Sequence, residues 1–264
     1  MNIIAIDIGN TKIAVGLFLD GQEQSIQSVP GLEEDSLRHI LRSAWEKMPV
    51  VEGSKEGRRD GAIVVSSVKP AWTTLVRQIA KEDLDEKVKL VGKDVPLPMP
   101  MWVDQPGKIG TDRIVAAAAA YAVVEGAVVV ADFGTAVTID LVDSNGVFQG
   151  GAIFPGFDIS ALALNANTAL LPKVKVTRPT EPFGKNTADA INCGLYYSAI
   201  GALEEIIRRY AEKIGTWPQV VMTGSGGELI RDDCPFVDNY VPNLVVKGLV
   251  LAYTKSFEQE NDLG

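Results

Sequence analysis

One pattern occurs twice in this chain, and it commits the backbone to two strand–turn–strand units. The first copy, Ile3-Ile4-Ala5-Ile6-Asp7-Ile8-Gly9-Asn10-Thr11, continues through Lys12–Leu19 to an Asp20-Gly21 turn. The second, Val128-Val129-Val130-Ala131-Asp132-Phe133-Gly134-Thr135, continues through Ala136–Val142 to an Asn145-Gly146 turn. Each is an apolar strand closed by Asp, a spacer, Gly and a nearby Thr, then a second strand ending in a hairpin dipeptide. An Asp leaving an apolar strand is costly unless something satisfies it. The glycine lets a backbone or ligand come close, and successive N–H groups in a tight turn bind anions. A single copy would suit an ordinary Asx turn. Two copies read as a nucleotide clamp, with turns facing each other across a cleft and each Asp offering oxygens to a cation.

The rest of the chain alternates strand and helix. After the hairpin at 2–8 and 12–19, the pattern predicts a helix over 33–48, a buried strand Ala62–Ser66, a helix over 71–81 and a short strand near 88–91. Four prolines between Val95 and Pro106 exclude regular helix there. A helix starts at Thr111 or Asp112 and runs to about Val124. The second half repeats the plan, with strands at 127–131, 136–143 and 147–153, helices near 157–168 and 187–214, a strand Gln219–Met222 and a last helix over 243–257. Strands alternating with helices imply largely parallel sheets covered on their faces. The expected fold is α/β, a duplicated ribonuclease-H-like, actin-like architecture. Its halves are 1–120 and 121–264, and the nucleotide cleft lies between them.

Composition narrows the function. Net charge is −9, from 25 basic and 34 acidic side chains, which argues against nucleic acid or an anionic membrane as partner. No apolar run approaches the roughly 20 residues that span a bilayer. Met1-Asn2-Ile3-Ile4 enters a strand directly, without the basic segment of a signal peptide, so a cytoplasmic protein is expected. Cys193 and Cys234 lack metal-ligand spacing and read as buried, reduced thiols. The one histidine, His39, falls in an expected surface helix, which leaves no basis for a histidine-based zinc site or catalytic dyad.

Three further segments carry chemistry. Gly110-Thr111-Asp112-Arg113 stands at a loop-to-helix junction. Thr111 or Asp112 could serve only as a helix N-cap, but adjacent Asp and Arg at a helix start can also accept a hydroxyl proton and grip an anion. Gly150-Gly151-Ala152-Ile153-Phe154-Pro155-Gly156 breaks a strand where a bulge or a close ligand would need it. Thr223-Gly224-Ser225-Gly226-Gly227 follows a buried strand and could form a shelf for a base or ribose; with no Lys-Ser or Lys-Thr after it, it is not a Walker A loop.

Together these residues resemble type III pantothenate kinase, a family of actin-like kinases, over essentially the whole chain. The family's phosphate motif matches Asp7–Thr11, its Gly-x-Asp-Arg matches Gly110–Arg113, and its Asp-Phe-Gly-Thr matches Asp132–Thr135. Gly150–Gly156, Leu171-Pro172, Gly184–Thr187 and Leu244–Leu249 match its remaining motifs in order. The resemblance implies ATP-dependent phosphorylation of pantothenate, the first step toward coenzyme A. It implies that Asp7, Ile8, Gly9, Asn10, Thr11, Lys12, Ile13 and Ala14 line the ATP phosphates, with Asp7 on the Mg²⁺ side, and that Thr135 contacts ATP. Asp112 would be the proton acceptor, with Gly110, Thr111 and Arg113 holding pantothenate. Asp132 would bind K⁺ or NH₄⁺. Thr187 would reach pantothenate in a neighbouring subunit, giving a homodimer with shared active sites. The family usually carries Tyr-x-Asn-Pro before its Gly-x-Asp-Arg, but this chain reads Val103-Asp104-Gln105-Pro106, so Val103 replaces a tyrosine lining the substrate pocket. Two alternatives are a non-catalytic regulatory homologue and a different actin-like small-molecule kinase.

Overall fold

The computed structural model describes residues 1–31, 33–54 and 57–262. It contains two five-stranded sheets built on one plan. The first has the order β3-β2-β1-β4-β5, from β1 (Ile3–Ile8), β2 (Lys12–Leu19), β3 (Gln22–Pro30), β4 (Ala62–Ser67) and β5 (Val88–Leu90). The second has the order β10-β9-β6-β7-β8, from β6 (Val128–Phe133), β7 (Ala136–Val142), β8 (Phe148–Pro155), β9 (Gln219–Thr223) and β10 (Asn239–Tyr240). Read outward from β1 and from β6, the two orders are the same. In each sheet an antiparallel hairpin leads to a third strand on one side, and a parallel pair lies on the other.

Chain contacts divide the molecule into two compact units: residues 1–100, 105–119 and 243–264, and residues 101–104 and 120–242. The sequence suggested one boundary near 120, whereas the chain's last helix returns to the first unit. The reason is visible in that helix, α7 (Leu244–Asp262), which packs on β1, β4 and β2 through buried Leu244, Val245, Val246 and Leu249.

In the first unit, Ile4, Ile6, Ile8, Ile13, Val15 and Leu17 project toward α1 (Glu34–Glu46) and α2 (Pro70–Leu84) and form one core with Leu37, Leu41, Trp45, Val76 and Ile79. Ile3 and Ala5 alternate to the opposite side and are also fully buried. Apolar residues on both faces are what a sheet covered by helices on both sides requires. The helix α3 (Thr111–Val124) is rich in alanine, and buried Ala116, Ala117 and Ala118 let it pack closely. In the second unit, Phe133, Val137, Ile139, Val220 and Met222 pack against Tyr196, Leu203 and Ile207 of α5 (Thr187–Ile214). Two short helices, α4 (Phe157–Ala166) and α6 (Ser225–Ile230), complete it. Between Val95 and Pro106 there is no helix, as the prolines demand, and only one 3₁₀ turn follows at Pro106–Lys108.

α7 touches α3 at one position that fixes their spacing. A Cβ built on Gly248 would lie 2.1 Å from the Val115 carbonyl oxygen and 2.5 Å from its carbon. Within a helix, alanine is normally favoured over glycine by about 0.5–1 kcal/mol. Here the clash is with rigid backbone, and overpacking of this kind costs about 1–3 kcal/mol. Gly248→Ala should therefore lower the urea midpoint of unfolding; a midpoint raised by the propensity gain would show that α3 gives way freely.

Candidate active site

The expected site residues fall into two groups, one in each unit. In the first, β1 runs parallel to β4 with Asp7 opposite Ser66 and Ile8 opposite Ser67. The Val68 N–H donates to the Ile8 carbonyl at 3.1 Å, so the two strands end together. Asp7 is the only residue of β1 that is not fully buried. The turn beyond it closes with the Gly9 N–H donating to the Lys12 carbonyl at 3.1 Å, and Asn10, Thr11 and Lys12 are exposed. Thr11 is anchored from outside, because its carbonyl accepts from the Gly31 N–H at 2.8 Å. Ile13 and Ala14, the last residues of the expected phosphate segment, are buried in β2 and support the turn from below.

α3 begins at Thr111, beside the carboxyl ends of β4 and β5. The Thr111 hydroxyl shares a 2.8 Å hydrogen bond with buried Ser66 Oγ, and Thr111 also lines a cavity of about 320 Å³ with Ser67, Thr73 and Arg77. Asp112 folds back over the helix start, where its Oδ1 accepts the Arg113 N–H at 2.9 Å. A Cβ on Gly110 would stand 2.3 Å from that oxygen, so glycine leaves room for the carboxylate. Burial pushes the Asp112 carboxyl above its ordinary value, opposed by the Arg113 backbone N–H and then by the Arg113 charge. A half-buried carboxylate with a raised pKa is a stronger base than a solvated one. Asp112 is the second residue of α3 rather than its cap, and its side chain takes up an N–H of the first turn.

In the second unit the same plan recurs. β6 runs parallel to β9 with Asp132 opposite Thr223, the counterpart of Asp7 opposite Ser66, and Thr223 is buried as Ser66 is. The backbone closes tightly round Asp132. Gly224 adopts φ +84°, and a Cβ there would lie 2.5 Å from Asp132 Oδ1 and 2.6 Å from the Phe133 carbonyl, so no other L-residue fits that position without displacement. Tyr240 donates its hydroxyl to the Gly224 carbonyl at 3.1 Å, which ties the turn to β10. The turn bearing Thr135 is held from the other side, where the Gly156 N–H donates to the Thr135 carbonyl at 3.1 Å. The Thr223–Gly227 segment, read as a shelf, ends in the first turn of α6 and packs on Phe133.

Val103 and the glycine pair of β8 are neighbours. The segment pairs beside β8, with the Trp102 N–H donating to the Phe148 carbonyl at 2.8 Å, and Val103 Cγ1 lies 3.8 Å from a Cβ position on Gly150. Thr187 is the first residue of α5 and is exposed. The cap of that helix is Asn186, whose Oδ1 accepts from the Asp189 N–H at 2.9 Å, which leaves the Thr187 hydroxyl for other work.

No group of three or more His, Cys, Asp or Glu side chains among the described residues could hold a metal ion. At Asp132 the backbone gathers oxygens, with Asp132 Oδ1 and the Phe133 carbonyl both against Gly224, and oxygen donors suit a hard cation rather than a thiol-seeking metal. Both thiols are buried, and burial first, then Asp233, pushes that of Cys234 up to about 12, an inert form.

The chain is similar to known proteins in sequence and in fold. A type III pantothenate kinase family model matches residues 3–209. The chain belongs to the type III pantothenate kinase family. A type III pantothenate kinase of Dehalococcoides mccartyi is 32% identical over 255 residues, covering 95% of this chain and 96% of that one. Among solved structures, a Campylobacter jejuni protein described as a Baf family transcriptional activator superposes with TM-score 0.60 at 18% identity, covering 99% of this chain and 100% of that one. Component A of the Acidaminococcus fermentans (R)-2-hydroxyglutaryl-CoA dehydratase superposes with TM-score 0.54 at 15% identity, covering 99% of each chain. These likenesses establish the duplicated actin-like fold.

Sequence reasoning missed Ser66, whose hydroxyl holds Thr111, as well as Tyr240 and Lys69. The signal for Ser66 was present: ligands of α/β sheets gather at the carboxyl ends of parallel strands, and Ser66-Ser67 closes β4 there.

Asp112→Asn keeps the shape and the oxygen that accepts the Arg113 N–H but cannot take a proton. General-base catalysis contributes about 10²–10⁴-fold, so kcat should fall by that order; a variant keeping more than about half the activity would remove Asp112 from the role. Stability should move the other way. A carboxyl whose folded pKa is raised stabilises the fold below its unfolded pKa and loses that contribution as pH rises through the folded value. At pH 8 the variant should therefore melt no lower than the parent chain. A clearly lower melting temperature would show that the charge is satisfied after all.

Proposed function

We propose that the chain transfers the γ-phosphoryl group of ATP to the primary hydroxyl of pantothenate, giving 4′-phosphopantothenate, the first step of coenzyme A synthesis. Family membership across nearly the whole chain carries this reading, and the paired Asp7–Ser66 and Asp132–Thr223 strand ends support it. Phosphoryl transfer passes through a loose transition state, so positioning and neutralisation of charge do most of the work. The turn from Asp7 to Ala14 holds the phosphates, and Thr135 contacts ATP. Gly110, Thr111 and Arg113 hold pantothenate, with Val103 lining its pocket. Asp112 takes the proton of the substrate hydroxyl as its oxygen bonds to the γ-phosphorus and ADP departs. Mg²⁺ arriving with ATP, on the Asp7 side, and K⁺ or NH₄⁺ at Asp132 would neutralise phosphate charge. No helix among the described residues is long and apolar enough to cross a membrane, which suits an enzyme working on soluble substrates in the cytoplasm.

A homodimer completes this reading. At the edge of the second unit's core, Leu195, Ala199, Ala202 and Ile206 of α5 line a groove of about 390 Å³ with Phe154 and Phe157. Ile153, which also lines it, is 60% exposed. Apolar surface along α5, the helix that Thr187 opens, is suited to a second copy of the chain, whose symmetry would place two equivalent Thr187 hydroxyls at two sites.

The activity is tested by incubating the chain with ATP, Mg²⁺ and K⁺ and measuring ADP release with pantothenate, acetate, glucose or no acceptor. Release should depend on pantothenate alone. Equal release with every acceptor, or none with any, would contradict the reading in favour of another kinase or a non-catalytic homologue. With K⁺ or NH₄⁺ in place of Na⁺ the rate should rise; equal rates in all three would remove the cation from Asp132. Shared sites predict complementation. An inactive Asp112→Asn chain mixed with an inactive Thr187→Trp chain should regain activity once subunits exchange, because one site of each heterodimer carries neither change. Verified exchange without recovery would confine Thr187 to its own chain.

A further inference from the structure

Lys69 occupies a position that the phosphate-turn reading did not use. It links β4 to α2 and is fixed at several points. Its N–H donates to Ser67 Oγ at 3.1 Å, and its carbonyl accepts the Thr73 N–H and hydroxyl at 3.1 and 3.2 Å. Pro70 follows directly, which holds Lys69 extended at φ −132°. The side chain then crosses to the neighbouring strand end. Its Nζ lies 3.1 Å from the Asn10 carbonyl, inside the Asp7–Lys12 turn, and 3.6 Å from the centroid of the buried Trp72 ring.

This ammonium has three donors, and one is committed to Asn10. Among the described residues it forms no ion pair with a carboxylate, although the chain carries 34 acidic side chains against 25 basic ones. The ammonium is held by a carbonyl and a ring, both neutral, beside the exposed residues Asn10, Thr11 and Lys12. The carbonyl and ring fix its place without cancelling its charge. Cation–π contact of this kind is worth about 0.5–1 kcal/mol at an exposed site, enough to bias the rotamer but not to satisfy the ion.

The geometry points to Lys69 as a phosphate-binding residue that reaches the terminal phosphates of the nucleotide from the β4 side. The inference rests on the reading of Asp7–Lys12 as the phosphate turn. There the lysine supplies a fixed positive charge where negative charge gathers during transfer, a contribution that a pre-placed cation makes without reorganisation.

The test compares nucleotides of different phosphate number. Calorimetric titration of the full chain with the magnesium complex of AMPPNP and with AMP is repeated on Lys69→Met, which keeps the stem on Trp72 and removes the charge, and on Lys69→Arg, which restores it. Lys69→Met should weaken AMPPNP about tenfold and leave AMP unchanged, and its AMPPNP affinity should depend less steeply on salt. Lys69→Arg should recover most of the loss. Equal weakening of both nucleotides would reduce Lys69 to a staple for the Asn10 turn and overturn the inference, as would unchanged affinity for both. If the unmodified chain fails to prefer AMPPNP over AMP, the phosphate turn itself is misread and the inference falls with it.

Discussion

Each sheet depends on a parallel pair at its centre whose register admits no slip. β1 sends Ile4, Ile6 and Ile8 to one face and Ile3, Ala5 and Asp7 to the other, and all but Asp7 are fully buried. A slip of one residue against β4 would turn every side chain to the opposite face and drive Asp7 into the core beneath α1 and α2. The apolar residues thereby fix where the acid emerges, at the strand end opposite Ser66. The same logic holds for β6 and β9, with Asp132 opposite Thr223. Hydrophobic burial, which carries no chemical information of its own, places the two carboxylates.

Backbone contact does the finer positioning. Gly224 lets the chain close on Asp132 within a distance that any side chain would block. Gly248 sets α7 directly on the α3 backbone at Val115, three residues beyond Asp112. α3 is thus held at its start by the Thr111–Ser66 hydrogen bond and farther along by the glycine contact. A proton acceptor must stay within hydrogen-bond reach of its proton, and these two contacts hold Asp112 in place for the role proposed for it.

Most of this plan was legible in the chain. The repeated Asp-x-Gly units gave the hairpins at their observed places, because an apolar run ending in Asp and glycine has few other folds. Long helices were found through their periodicity, α5 at the residues expected. Other features were hidden for identifiable reasons. β3 is polar and exposed apart from half-buried Ser25 and Ile26 and buried Val29, so it packs too little apolar surface to show a strand pattern. The return of α7 to the first sheet is a tertiary choice, settled by Val246 lying against Gly16 and invisible to local periodicity. β10 is only two residues long. Lys69 reads in sequence as an ordinary loop lysine; only the β1–β4 register shows that its ammonium lies at Asn10.

The claim on which the account turns is that a partly buried Asp112 takes the proton. The dependence of kcat/KM for pantothenate on pH measures it directly. The catalytic form is the carboxylate, so activity should fall as pH drops through the pKa of Asp112. Burial places that limb above the ordinary aspartate value of about 3.9. One acidic limb should appear, shifted upward from that value and abolished in Asp112→Asn, whose small residual rate should be flat over the same range. A limb at the ordinary value, or one that persists unchanged in the variant, would contradict it.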